Sequence, residues 1–108
     1  MQAAVFSALG EPSRLQIVEL LRTSSFAVGE IAEALGIRQP QASKHLKVLA
    51  ETGIVRVEPR ARQRIYHLQA EPFDRIAHWI DSFEHLWDTR LDALGEYLRT
   101  NPTEEDPS

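Results

Sequence analysis

The chain has 108 residues, no cysteine and a formal net charge of -4. Its length suits one domain, and the missing thiols exclude a disulfide scaffold, a thiolate metal site and a cysteine nucleophile while agreeing with a reducing cytoplasm, where we expect the protein. No apolar run approaches the ~20 residues of a membrane span, and the short apolar stretch 3–9 lacks the basic flank of a signal peptide, so no membrane partner is expected.

Gln2 to Leu9 predicts a short helix that offers Ala3, Val5, Phe6 and Leu9 for packing and is closed by Gly10. Glu11-Pro12-Ser13 opens a second helix, with proline in the first turn where its missing N–H has no partner to lose. Leu15, Ile17, Val18, Leu20 and Leu21 give that helix a wide buried face as far as Arg22, and Thr23-Ser24-Ser25 makes a polar linker. Val28, Ile31, Ala32 and Leu35 then mark one side of a third helix, which Gly36 can end in a left-handed conformation. From Arg38 to Ala50 two faces separate. Ala42, Leu46 and Leu49 share the buried side of a 3.6-residue helix, whereas Gln41, Lys44, His45 and Lys47 face outward. Helix, short glycine turn and helix form the helix-turn-helix pattern, whose second helix enters a DNA major groove.

After Glu51-Thr52-Gly53 the period changes. Ile54 to Glu58 is rich in β-branched residues and reads as a strand, and Gln63 to Leu68 alternates Arg64, Tyr66 and Leu68 with Ile65 and His67 as a second. Pro59-Arg60-Ala61-Arg62 must turn the chain without an Asn-Gly or Asp-Gly pair. Arg60 and Arg62 at the tip and Arg64 on the shoulder make this hairpin a basic wing, suited to phosphates or the minor groove. Charge is sorted to match. Residues 38–70 hold seven Arg or Lys against Glu51 and Glu58, a balance of +5, while the flanks carry -2 and -7. A basic centre faces phosphates and the acidic flanks must point elsewhere.

Pro72 opens a last helix, expected to run unbroken from about Phe73 to Leu98, whose apolar residues cover more of its circumference than so small a core can use. Trp79, Phe83, Leu86, Trp87, Leu91 and Leu94 therefore need a second surface, and a twofold homodimer that also uses Val5 and Phe6 supplies it while setting two reading helices about one DNA turn apart. Asp74, His78, Asp81, His85 and Asp88 fall on one side of the same helix. Such a stripe could ligate zinc or nickel, but it is also the ordinary wet face of an amphipathic helix. We adopt the second reading and expect no metal and no cofactor, with His78, Asp81, His85 and Asp88 as the residues a metal would use. Enzymatic patterns are missing: there is no glycine-rich phosphate loop, no HExxH and no nucleophile elbow, and Ser43 and His45 point about 200° apart on their helix. The elements together predict a mainly α fold with a β-hairpin, a winged helix-turn-helix of about five helices with a two-stranded wing between the fourth and fifth. One domain spans 1–100, and a disordered acidic tail follows over 101–108.

The chain resembles the ArsR-type winged-helix transcription factors through FSALGEPSRLQIVELL (6–21), VGEIAEALGIRQPQASKHLKVLAETGIV (28–55) and ARQRIYHL (61–68). The resemblance implies a homodimeric repressor that reads a palindromic operator in double-stranded DNA, with the first and last helices at the dimer interface and release on binding a signal. Residue by residue it implies that Gln39 and Gln41 lie nearest base edges, that Ser43, Lys44 and Lys47 contact phosphate or bases, and that His45 holds the helix in register. Three departures stand out. The position of the family's cysteine sensor motif reads Val28-Gly29-Glu30-Ile31, which points to the metal-free branch and leaves an unknown small molecule, a partner protein or autorepression without a ligand as the mode of regulation. Arg38 replaces the usual capping serine and Ala61 the usual wing glycine, so the wing tip is expected to keep right-handed geometry. The competing readings are a winged-helix module that binds protein instead of DNA, and a metal-sensing repressor that uses the histidine and aspartate residues of the last helix.

Overall fold

The computed structural model describes residues 3–100, in the order α1 (Ala3–Leu9), α2 (Pro12–Leu21), β1 (Phe26–Ala27), α3 (Val28–Leu35), α4 (Gln39–Glu51), β2 (Val55–Arg60), β3 (Gln63–Leu68), α5 (Ala70–Asp81) and α6 (Glu84–Thr100). Gln2 and the tail expected over 101–108 lie outside the described residues. The chain forms two units, one running to Arg75 and one from Ile76 onward.

Local chemistry sets each boundary in the first unit. The Glu11 carboxylate accepts from the Arg14 backbone N–H at 3.0 Å and so caps α2. Arg14 in turn donates through Nε to the Ala8 carbonyl at 2.7 Å, tying the end of α1 to the start of α2. Gly36 ends α3 at φ 67, with Ile37 N–H donating to the Ala32 carbonyl at 3.0 Å and Gly36 N–H to the Glu33 carbonyl at 3.2 Å. Gly53 repeats the same left-handed exit after α4 at φ 78. At the start of α4 the Arg38 side chain makes no capping bond, and Gln41 Oε1 accepts from the Arg38 backbone N–H at 3.3 Å in its place.

The core of this unit is built from Val5 and Ala8 of α1, Ile17, Val18 and Leu21 of α2, Ile31 and Ala32 of α3, Ala42, Leu46 and Leu49 of α4, and Ile54, Val55 and Tyr66 around the sheet. α2 packs on both α3 and α4, and α3 on α4. Leu46 and Leu49 are fully buried, each contributing about 1.5–3 kcal/mol by removal from water, and they fix which side of α4 faces out.

Three features differ from the sequence expectation. Phe26–Ala27 forms a third strand, so the sheet is three-stranded in the order β1-β3-β2, with Phe26 opposite Tyr66 and Ala27 opposite Ile65. The wing itself pairs β2 with β3 from Val55↔Leu68 to Arg60↔Gln63.

At its tip Ala61 takes φ 56, so the expected right-handed turn is incorrect. A two-residue hairpin loop must follow the twist of its strands, and that requires left-handed backbone even where no glycine is available. Ala61→Gly should therefore stabilise the fold by about 0.5–1 kcal/mol, as the left-handed penalty of an L-residue (roughly 1–2 kcal/mol) is relieved and partly offset by the extra freedom of glycine in the unfolded chain. A higher urea midpoint at unchanged m-value is the expected result; an unchanged or lower midpoint contradicts it.

The third difference lies in the last helix, which is not continuous. It ends at Asp81 and restarts at Glu84, although neither proline nor glycine occurs there. Ser82 Oγ donates to the Trp79 carbonyl at 2.5 Å, and the Ser82 and Phe83 N–H groups reach back three residues to the Trp79 and Ile80 carbonyls at 3.2 and 3.0 Å. The Ser82 N–H also keeps its four-residue bond to the His78 carbonyl at 3.0 Å, so the helix tightens at Ser82–Phe83 before it restarts. The rings of Trp79 and Phe83 meet edge to face across the break, 5.0 Å between centroids.

Candidate nucleic-acid interface

Because Ala42, Leu46 and Leu49 hold one side of α4 in the core, its other side is presented to solvent. Gln39, Gln41, Ser43, Lys44 and Lys47 are all exposed. The wing brings Arg60, Arg62 and Arg64, also exposed, to the same unit. Two recesses show which of these side chains converge. One of about 600 Å³ is lined by Gln39 from the start of α4, Arg62, Gln63 and Arg64 from the wing, and Gly29, Glu30 and Glu33 from α3. A second of about 550 Å³ has Ser43 and Lys47 of α4 opposite Arg64, over an apolar floor that includes Val28, Leu46, Val57 and Tyr66. Reading helix and wing thus flank common spaces, and Arg64 borders both.

Among the described residues Arg38, Lys44, Lys47, Arg56, Arg62 and Arg64 form no ion pair; of the cations in this region only Arg60 has one, to Glu58 at 3.6 Å. Positive charge without an ion-pair partner is available to a polyanion.

His45 behaves differently from its neighbours. It is half-buried, with Nδ1 3.7 Å from the Glu11 carboxylate, and so braces α4 against the cap of α2.

A further cluster was not evident from the sequence. Ser25 Oγ lies 2.6 Å from His67 Nδ1, and His67 Nε2 lies 2.7 Å from Glu58 Oε1. The Glu58 carboxyl is held below the usual glutamate range, chiefly by its hydrogen bond to His67 and then by the charge of Arg60.

In the second unit α6 has no buried residue, and Trp87 and Leu91 are 59% and 63% exposed. Trp79, Phe83, Leu86 and Leu94 are exposed as well. On α1 the two residues expected at a dimer interface part company: Phe6 is 38% exposed, whereas Val5, at 2%, belongs to the core of its own protomer. The break at Ser82 places His78 and Asp81 on α5 and His85 and Asp88 on α6, so the single stripe that a continuous helix would make does not form. Among the described residues no group of three or more His, Asp or Glu gathers in ligating range. Nor, among the same residues, is any helix long and apolar enough to cross a membrane.

The fold and this basic face define a winged helix-turn-helix. A family model described as a helix-turn-helix domain matches residues 9–58. The chain is 35% identical over 93 residues to the HTH-type transcriptional regulator Rv2034 of Mycobacterium tuberculosis, a match covering 86% of this chain and 84% of that one. It is 38% identical over 74 residues to the biofilm growth-associated repressor of Agrobacterium fabrum, covering 68% of this chain but only 63% of that repressor's length. Among solved structures, an ArsR-like transcriptional regulator from Rhodococcus sp. RHA1 superposes with a TM-score of 0.74 at 26% identity, over 87% of this chain and 89% of that one. The chain belongs to the ArsR family of winged helix-turn-helix transcriptional regulators, and it does so without a cysteine-based metal-sensor motif. The Mycobacterium and Rhodococcus proteins are transcriptional regulators, and the Agrobacterium protein is a repressor.

Proposed function

We propose that the protein is a sequence-specific DNA-binding repressor that acts as a homodimer on a palindromic operator in the cytoplasm. α4 enters the major groove with Gln39 and Gln41 toward base edges, Ser43, Lys44 and Lys47 reach bases or flanking phosphates, and Arg60, Arg62 and Arg64 of the wing hold the backbone or the minor groove. The observation that carries this reading is the face on which unpaired Lys47 and Arg64 meet across one recess and Gln39, Arg62 and Arg64 across another. The apolar, exposed side of α5 and α6, together with Phe6, supplies the dimer surface. Regulation falls to a small molecule, a partner protein or autorepression without a ligand, the chain carrying no thiolate for a cysteine-based metal sensor.

Selection of bound duplexes from a random pool tests DNA binding, symmetry and target identity together. An inverted repeat is expected, and its recovery should depend steeply on salt. If no duplex is enriched, or binding is indifferent to salt between 50 and 200 mM, the protein is a protein-binding winged helix instead. With the repeat in hand, Gln41→Ala should relax the preference at one base pair per half-site by about 1–3 kcal/mol while leaving affinity for unrelated duplex unchanged. A uniform loss on all sequences would assign Gln41 to the backbone.

A further inference from the structure

The wing projects from the body of the protein as two strands, because the third strand is only two residues long and reaches β3 at Ile65 and Tyr66 alone. Beyond that point Gln63 and Arg64 of β3 have no neighbour strand on the β1 side and pair only with Arg60 and Pro59 of β2. At the root of this projection stands His67. It lies on the middle strand, so its ring is within reach of side chains from both flanking strands on one face of the sheet. Continuing the register past Phe26↔Tyr66 puts Ser25 opposite His67 on one side, and Glu58 is its diagonal neighbour on the other.

An ionised carboxylate can only accept, so His67 Nε2 donates to Glu58, while Nδ1 pairs with the Ser25 hydroxyl, which can donate to a neutral ring or accept from a cationic one. Glu58 also has its second oxygen 3.6 Å from Arg60, which carries the chain of contacts outward to the wing tip. At its inner end Ser25 precedes β1, and β1 runs without a break into α3, the first helix of the reading pair.

We infer that Ser25, His67 and Glu58 form a clasp that sets the wing at a fixed angle to α3 and α4, making these three the positioning residues for DNA binding. The inference rests on the DNA-binding reading above for its purpose, but its geometry concerns the free protein. Arg62 and Arg64 hold phosphates only if the wing presents them at the spacing the duplex imposes on α4. A wing free to swing keeps its charge and loses its register. The clasp therefore contributes to affinity for the operator and little to affinity for unrelated DNA.

Two measurements on the full chain test this. Amide hydrogen exchange of the free protein should show residues 55–66 exchanging about tenfold faster in His67→Ala and several-fold faster in the milder Ser25→Ala, with α4 unchanged. Unchanged wing exchange in both variants overturns the clasp, as does an equal acceleration throughout the first unit.

The second measurement compares Glu58→Gln with Glu58→Ala on the selected duplex and on an unrelated one. Both remove the same negative charge, so simple electrostatics predicts equal, tighter binding by each. Because Gln retains an acceptor for His67 and Ala does not, the clasp predicts that Glu58→Ala binds the selected duplex roughly five- to tenfold more weakly than Glu58→Gln, while the two remain equal on unrelated duplex. Equal affinities on the selected duplex overturn the inference. In the same assay His67→Ala should cost less when Arg62 is already alanine, and strictly additive losses also count against it. If the unaltered protein binds neither duplex, the DNA-binding reading fails on its own, and the exchange experiment alone decides whether the clasp exists.

Discussion

Lys44→Ala combined with Arg62→Ala is expected to weaken binding to every duplex by about two to three orders of magnitude at low salt. Both side chains are exposed and make no ion pair among the described residues, so their removal leaves the fold intact and takes away only charge offered to a ligand. Each phosphate contact contributes a slope of about 0.9 to the dependence of log affinity on log salt, so two residues in each of two protomers should lower the slope by nearly four. The variant and the unaltered protein should therefore converge as salt is raised, which is the sign that separates lost counterion release from lost packing. An unchanged slope would mean that these cations do not face DNA.

Leu91→Glu together with Trp87→Glu should convert the dimer to monomer at micromolar concentration and lower operator affinity by at least about a hundredfold. Trp87 and Leu91 are more than half exposed on a helix with no buried residue of its own. Burying such side chains against a second copy stabilises by about 2–3 kcal/mol each, doubled by twofold symmetry, whereas a carboxylate at the same place must be desolvated without a partner. Sedimentation velocity reads the mass directly. A variant that remains dimeric places the interface on another surface; a monomer that still binds the inverted repeat with full affinity refutes the paired-helix reading itself.

Much of this architecture was legible in the sequence. The spacing of Ala42, Leu46 and Leu49 predicts the buried side of α4, and all three are fully buried. Gly36 predicts the left-handed exit that it makes. Gln63 to Leu68 is the strand found. What escaped did so for physical reasons. A two-residue strand has no periodicity to read, and the partner of Phe26 lies forty residues away. The break at Ser82–Phe83 carries neither the proline nor the glycine by which breaks are recognised. Ala61 is left-handed because the hairpin demands it, against its own preference. The clasp joins three residues that are unremarkable apart and that only the order of strands in the sheet brings together, Ser25 and His67 being 42 positions apart. For the interface, residue types and charge indicated the outward side chains of α4 and the wing, but not that His45 turns to Glu11 or that Val5 is consumed by its own core.

The separation of the two sides of α4 has a consequence for how such a protein changes over time. Ala42, Leu46 and Leu49 carry its stability, and Gln39, Gln41, Ser43, Lys44 and Lys47 carry none of that packing. Substitutions at Gln39, Ser43, Lys44 and Lys47 are therefore nearly neutral for folding, whereas Gln41 also accepts from the Arg38 backbone N–H at the start of α4. A duplicated copy of this gene can explore new operators one outward residue at a time without passing through an unfolded intermediate, and an engineer can exchange Gln39, Ser43, Lys44 and Lys47 as a cassette on an unaltered scaffold.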